Sequence, residues 1–384
     1  MPLAIIRFLY PRGPRLAASK EEANALKYIE NQFVTLGLEA ENTAFPSFSG
    51  SEWYYAFAYA TFPVATVLFI LDIGLAIALV ALGLVLLRLD MVIWPFLNNM
   101  FALGSRSHLV TGRVAPLRDK RLTVVVIANA DNRRVLWPLA KWPFLEHATP
   151  FVMSVVDLMR LLHGIFYVSA WGLDFFSMRE QVQLLWRFSW YSGVLSLLAC
   201  CFYLAQVMHG RLVNCANDNL SGLQVLVDVA GDFAYRPCQR SELVFAAVGA
   251  GRAGMLGTRR LLRMLKLKEE SSYVLNLTSL GSGKLAIAKS EGYTRPIHVY
   301  DDLAEVGFFV GSISRQSVEV AYTRQRRGDF AMARSMGYRA LTVVGLNERG
   351  HRGVYYDQDQ IDEANLEFAR EYVQQLIMRL DDQA

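Results

Sequence analysis

Residues that bind metals or form redox pairs are scarce in this chain, which has six histidines and four cysteines among 384 residues. Cys200, Cys201, Cys215 and Cys238 form no Cys-x-x-Cys pair and share no ligand spacing with a histidine. That spacing excludes a zinc finger or ribbon, argues against a disulfide framework and suits a reducing compartment. His108, His147, His209 and His298 are equally unpatterned. Charge is also thin: 19% of residues are charged and the net charge is +4. The positive residues are spread rather than striped, so no nucleic-acid surface is implied. A Gly-x-Ser-x-Gly nucleophile elbow is absent. The opening Met1-Pro2-Leu3-Ala4-Ile5-Ile6-Arg7 has too short an apolar run, and no cleavage site, for a secretory leader.

What the chain has in excess is hydrophobicity, at 53% of residues and a mean hydropathy of +0.23. The excess is concentrated in two zones, at 53–90 and 151–209. In the first, Trp53–Leu71 and Leu75–Leu87 flank a turn at Asp72-Ile73-Gly74 and end on Arg88. In the second, Leu161–Phe176 precedes Leu185–Met208. A helix crosses the hydrocarbon core with about 20 residues, so each zone predicts a short transmembrane hairpin and the chain about four spanning helices. Arg88, Arg106, Arg160, Arg187 and Arg211 lie near the polar sequence. This bias places the polar domain in the cytoplasm, on a bacterial-type inner or cytoplasmic membrane. Asp157, Arg160 and His163 recur at three-residue spacing, on neighbouring parts of one helix face. They read either as groups at the membrane surface or as contacts to a partner. Trp53, Trp171, Trp186 and Trp190 are candidate interface or partner-facing anchors. The expected partners are membrane lipids and another integral membrane protein.

The polar sequence reads as one α/β domain with a mostly parallel central sheet flanked by helices. Glu21–Leu38 has helical periodicity, closed by Gly37. Leu122–Ile127, Leu243–Val248, Tyr273–Leu277 and Leu341–Val344 read as strands, and Ser221–Val229, Leu256–Leu267 and Gln360–Leu380 as helices. The domain is thus predicted in three pieces, 1–52, 91–150 and 210–384, interrupted by the two hairpins. Gly249-Ala250-Gly251-Arg252-Ala253-Gly254 is a literal dinucleotide fingerprint between a strand and a helix, but no acid ends the next strand to bind a ribose. Gly281-Ser282-Gly283-Lys284 lacks the rest of a phosphate loop. The cluster Arg324, Arg326, Arg327 and Arg334 reads as a solvated or lipid-facing basic face.

The order of these pieces resembles the di-zinc aminopeptidase family, the aminopeptidase Y type whose fold glutaminyl cyclases share. The best match is Ala216-Asn217-Asp218-Asn219-Leu220-Ser221-Gly222. Pro11-Arg12-Gly13-Pro14-Arg15, Leu275-Asn276-Leu277, Asp329 ahead of Gly337, and Asp359-Gln360-Ile361-Asp362 fall in the family's order. The resemblance implies a site of two histidines, several carboxylates and a catalytic glutamate, with Asp218 as the zinc-bridging group. It also implies that most of this site is gone. The strand-end histidine falls at Asn129, with Asp131 two residues on. The glutamate pair falls at Gly251 and Arg252, a further ligand aspartate at Thr278, and the last histidine at Arg352 beside His351. Zinc prefers imidazole and carboxylate donors, and a guanidinium repels it and stays protonated. The expectation is therefore a pseudopeptidase, with no catalytic residues, no zinc or other cofactor, and a binding or scaffold role. The alternative is a membrane-bound zinc hydrolase with a reduced site built from Asp218, His351 and Asp131.

Overall fold

The computed structural model describes residues 3–102, 104–135, 143–292, 296–314, 318–322, 327–347 and 360–384. His351, Arg352, Asp359, Arg324 and Arg326 lie outside them. The chain divides into two compact units: 1–49, 98–133 and 212–384 form the first, and 50–97 with 134–211 the second.

Unit 1 is built on a nine-stranded sheet. Its strands are β1 (Glu39–Pro46), β2 (Arg106–Val114), β3 (Leu122–Asn129), β4 (Ser241–Val248), β5 (Ser272–Thr278), β6 (Lys284–Glu291), β7 (Ile297–His298), β8 (Glu319–Tyr322) and β9 (Arg339–Leu346). The order is β1-β2-β4-β3-β5-β9-β6-β8, with β7 paired to β6. The central run β4-β3-β5-β9 is parallel. These are the strands legible as apolar runs, because a parallel strand is buried on both faces. From Leu122 to Ala128, β3 is buried throughout. The sheet as a whole is mixed rather than mostly parallel: β1–β2, β2–β4 and β9–β6 are antiparallel. The sequence reading assigned no strand to β1, β2 or β6. β1 (Glu-Ala-Glu-Asn-Thr-Ala-Phe-Pro) shows why, since only Phe45 is buried and the chain lies at the sheet edge.

Helices cover the sheet. α1 (Ala4–Leu9) opens the chain, and α2 (Lys20–Thr35) is capped by Ser19 Oγ, which accepts from Glu22 N at 3.2 Å. α2 buries Ala25, Leu26, Ile29 and Phe33, and it ends where Gly37 takes a left-handed φ of 79°. α8 (Ser221–Tyr235), α9 (Leu256–Leu265), α10 (Asp301–Ile313), α11 (Asp329–Ser335) and α12 (Glu363–Asp382) follow. Near the end of α12, the Asp381 carboxylate accepts from the backbone of Gln239, Arg240 and Ser241 at 2.7–2.8 Å, fastening the helix to the start of β4.

Unit 2 is helical: α3 (Glu52–Leu68), α4 (Ile73–Arg88), the start of α5 (Asp90–Phe101), α6 (Pro143–Phe175) and α7 (Arg179–His209). Asp72 caps α4, accepting from Leu75 N at 3.0 Å, so the expected break between α3 and α4 lies at 69–72, and Ile73 and Gly74, expected in the turn, belong to the helix. Phe62, Ala65, Phe69, Ala76, Val80, Tyr167, Ala170 and Val182 form a core. Gly193 allows close approach, because a Cβ there would lie 2.7 Å from Thr66 Oγ1. Ile70, Leu82, Ile165, Val168, Trp171 and Leu198 point outward and are exposed. Among the described residues only α7 is by itself long and apolar enough to cross a membrane. α4 and α5 pass that test together but bend by 93° at their junction. α3 has 17 residues and α4 has 16; at about 1.5 Å per residue each is about 25 Å long, short of a core of about 30 Å.

Candidate functional site

The carboxyl ends of the parallel strands are where an α/β sheet gathers functional groups. Here β3 delivers Asn129, the turn after β4 delivers Gly251 and Arg252, β5 ends at Thr278, and a buried π-helical turn (Ala216–Leu220) carries Asp218 into α8. These residues, together with Asp131, meet in one cluster of unit 1.

Its centre is an ion pair between Arg252 Nη2 and the Asp218 carboxylate. Asp218 is 2% exposed and Arg252 24%. Asn219 Oδ1 lies 3.4 Å from the same guanidinium nitrogen. Asp131 holds the loop from the other side: its carboxylate accepts from Gly251 N at 2.9 Å and Arg252 N at 2.8 Å. Arg252 is therefore fixed at both ends, backbone by one aspartate and side chain by another.

Asn129 is engaged inside the cluster. Its amide nitrogen donates to the Asp329 carboxylate, which also accepts from Thr258 Oγ1. Asn129 and Gly251 are geometrically tied, because a Cβ at position 251 would run into the Asn129 amide. Thr278 Oγ1 donates to the Asp218 carbonyl at 3.1 Å, so this side chain braces the turn. Gly281 N donates to Asn217 Oδ1 at 2.7 Å and Leu280 N to Ser221 Oγ at 2.9 Å, closing the turn against the loop after β5.

Sequence reasoning missed four members of this cluster: Glu22, Thr258, Asn219 and, as a site residue, Asp329. Glu22 reaches in from the first turn of α2, fully buried, and accepts from Ser107 Oγ at 2.7 Å, Ala250 N at 2.8 Å and Ala18 N at 2.9 Å. The Ser19-x-x-Glu22 spacing signals a helix cap, and it does not announce that the glutamate also holds a loop over two hundred residues away. Burial, reinforced by the Asp131 charge, raises the Glu22 pKa to about 8. Burial also raises Asp131 to about 6, against the pull of its bonds to Arg252 and Gly251. Arg15 Nε donates to the Ala130 carbonyl at 2.8 Å, and burial lowers its pKa to about 10.

The glycine-rich loop now has a structural explanation. In a dinucleotide site, such a loop offers free amides to phosphate. Here the amides of Ala250, Gly251 and Arg252 are taken by Glu22 and Asp131, and Ala250 adopts a left-handed φ of 53°. That conformation is uncommon for a residue with a Cβ.

The donors do not fit a di-zinc centre. A guanidinium is paired with the Asp218 carboxylate, a neutral amide stands at the strand end, and a hydroxyl committed to the backbone stands at Thr278. Among the described residues no group of three His, Cys, Asp or Glu side chains could hold a metal ion.

The partner-facing candidates lie in unit 2. Arg160 and His163 are buried within it. The three-residue spacing points them at α3 and α7. Asp157 is partly exposed and pairs with Arg160. Trp186 is partly buried and donates to the Thr66 carbonyl at 2.9 Å, while Trp190 is exposed.

Residues 205–377 match the sequence profile of Peptidase family M28. The fold is similar to that of LapB from Legionella pneumophila, at 11% identity and a TM-score of 0.54 over 98% of this chain and 70% of that one. It is similar to BSAP, a zinc aminopeptidase from Bacillus subtilis, at 13% identity and a TM-score of 0.54 over 97% and 93%. Glutaminyl cyclase from Bacteroides thetaiotaomicron gives 10% identity and a TM-score of 0.53 over 97% and 95%. A search of curated proteins finds no match.

Proposed function

We propose, from the match of residues 205–377 to Peptidase family M28 and the aminopeptidase-like fold of the structural neighbours, that the chain is a catalytically inactive relative of that family, anchored in a membrane by its helical unit and serving as a scaffold or accessory subunit for another membrane protein. The observation that carries this reading is the Arg252–Asp218 ion pair. Hydrolysis of the family's type needs two metal ions to polarise a water and a carboxylate to take its proton. Arg252 supplies neither function, and it brings its own positive charge to the one bridging carboxylate that remains. Asp131 has likewise become a clamp for the loop that carries Arg252.

The anchor reading rests on α7, on the bent α4–α5 pair and on the apolar side chains that unit 2 turns outward. We place the polar unit in the cytoplasm, on the arginine bias of the chain. The partners are then lipids and an integral membrane protein, with no nucleic acid and no metal cofactor. Purification in mild detergent followed by metal analysis tests the proposal: zinc well below one per chain is expected, together with a stoichiometric membrane partner. One tightly bound zinc per chain, with peptidase activity lost in Asp218→Ala, would sink it in favour of a hydrolase with a rebuilt site.

A further inference from the structure

The helical unit carries polar chemistry that an anchor does not require. Along α6, Arg160, His163 and Tyr167 follow one another at three and four residues and share a helix face. α7 meets this face with Ser196, Ser192 and Ser189. His163 Nδ1 lies 3.1 Å from Ser192 Oγ, and Ser189 Oγ lies 3.3 Å from the Tyr167 hydroxyl. Numbers rise along α6 as they fall along α7, so the helices are antiparallel and the next level sets Arg160 against Ser196. α3 closes the third side: Phe62 lies 5.7 Å from the His163 ring, and the Arg160 guanidinium stands 4.6 Å above Tyr59. Arg160, His163 and Ser196 are 4%, 0% and 0% exposed. Each keeps one buried polar atom without a hydrogen-bond partner: Arg160 Nη1, His163 Nε2 and Ser196 Oγ. A polar atom left empty in a core costs what a lost hydrogen bond costs, so three on adjacent turns of two facing helices call for an occupant.

We propose that this level of the α3–α6–α7 core is a binding site for a small hydrogen-bond acceptor, a water molecule or a halide ion, held by Arg160, His163 and Ser196. Arg160 Nη1 carries only donor hydrogens. When the Ser192 hydroxyl donates to His163 Nδ1, the imidazole proton stays on Nε2 and supplies a second donor. The Ser196 hydroxyl rotates to give a third. A buried water typically makes about three hydrogen bonds, and a halide takes the same donors. Asp157 pairs with the other end of the guanidinium from the exposed side, so a neutral guest meets no uncompensated charge.

The test uses the full chain in mild detergent. Ser196→Val is expected to lower Tm by several degrees, because it removes one leg of the site, and Ser196→Thr, which keeps the hydroxyl, is expected to restore it. If the level is empty, valine replaces an unsatisfied hydroxyl, and Tm holds or rises; that result overturns the proposal. Radiolytic hydroxyl footprinting of the wild-type protein is a second, independent reading. Modification of the fully buried His163 and Tyr167 is expected for a water guest, and full protection of both together with no anion dependence would also overturn the site. Exchanging chloride for gluconate separates the guests: a fall in Tm in the wild type but not in Ser196→Val assigns a halide, and no anion dependence with a positive footprint assigns water.

Discussion

Arg252 concentrates the chemistry of the strand-end cluster in one side chain. Asp218 is buried and acidic, and an unpaired carboxylate there would be severely penalised. The guanidinium removes that penalty without a metal. Removing one partner of such a pair costs on the order of 3 kcal/mol, because the other charge is stranded. Arg252→Ala is therefore expected to destabilise unit 1 by that order, and Asp218→Asn in the same chain to recover much of the loss. A double-mutant cycle by urea denaturation measures the coupling, and additive losses would show that the pair carries no energy. Asn129 and Gly251 form a second coupled pair. Gly251→Ala is expected to cost ~1–3 kcal/mol through overpacking against the Asn129 amide. Asn129→Ala made with it relieves the collision, although it also frees Asp329 from one donor.

At the scale of elements, the turn after β4 is held by carboxylates from two directions, Glu22 of α2 and Asp131 beyond β3. This makes the stability of the sheet pH-dependent in a direction that can be worked out. Unfolded Glu22 loses its proton near 4.5, whereas burial holds the proton in the folded protein up to about 8. Between those values the folded state binds the extra proton, so stability falls as pH rises through the window and levels off above it. Asp131, raised from 3.8 to about 6, acts in the same direction at lower pH. The urea midpoint is expected to be lower at about pH 8.5 than at about pH 5.5. Glu22→Gln, which mimics the protonated acid, should flatten that slope; an unchanged slope in the variant would remove Glu22 as its source.

At the scale of the whole molecule, the two units are made by one chain that leaves the sheet twice. Unit 2 turns many large apolar side chains outward, among them Trp171, Phe175, Leu198 and Ile70. Exposed apolar side chains that gather into a patch mark contacts to protein or membrane. The full chain is therefore expected to stay with the membrane through alkaline carbonate extraction and to enter solution only with detergent; release by carbonate would count against the anchor.

What the sequence decided by itself was everything governed by periodicity and burial. The apolar runs of β3, β4, β5 and β9 were legible because both faces of those strands are covered. The break at Asp72 was legible because a polar residue interrupts apolar sequence there, and the Asn217-Asp218-Asn219 motif stood out only through its resemblance to the family pattern. The antiparallel strands were not, since β1 and β2 mix polar with apolar residues and obtain their pairing from the neighbouring strand rather than from their own pattern. The residue types at Asn129, Gly251 and Arg252 could also be read along the chain. Tertiary structure alone revealed what they meet: a glutamate from a helix cap, an aspartate clamp and an ion pair, joined across distances of 34 to 228 residues. It likewise turned Arg160 and His163 inward, because helical spacing fixes which residues share a face, while only the packed neighbours decide what that face meets.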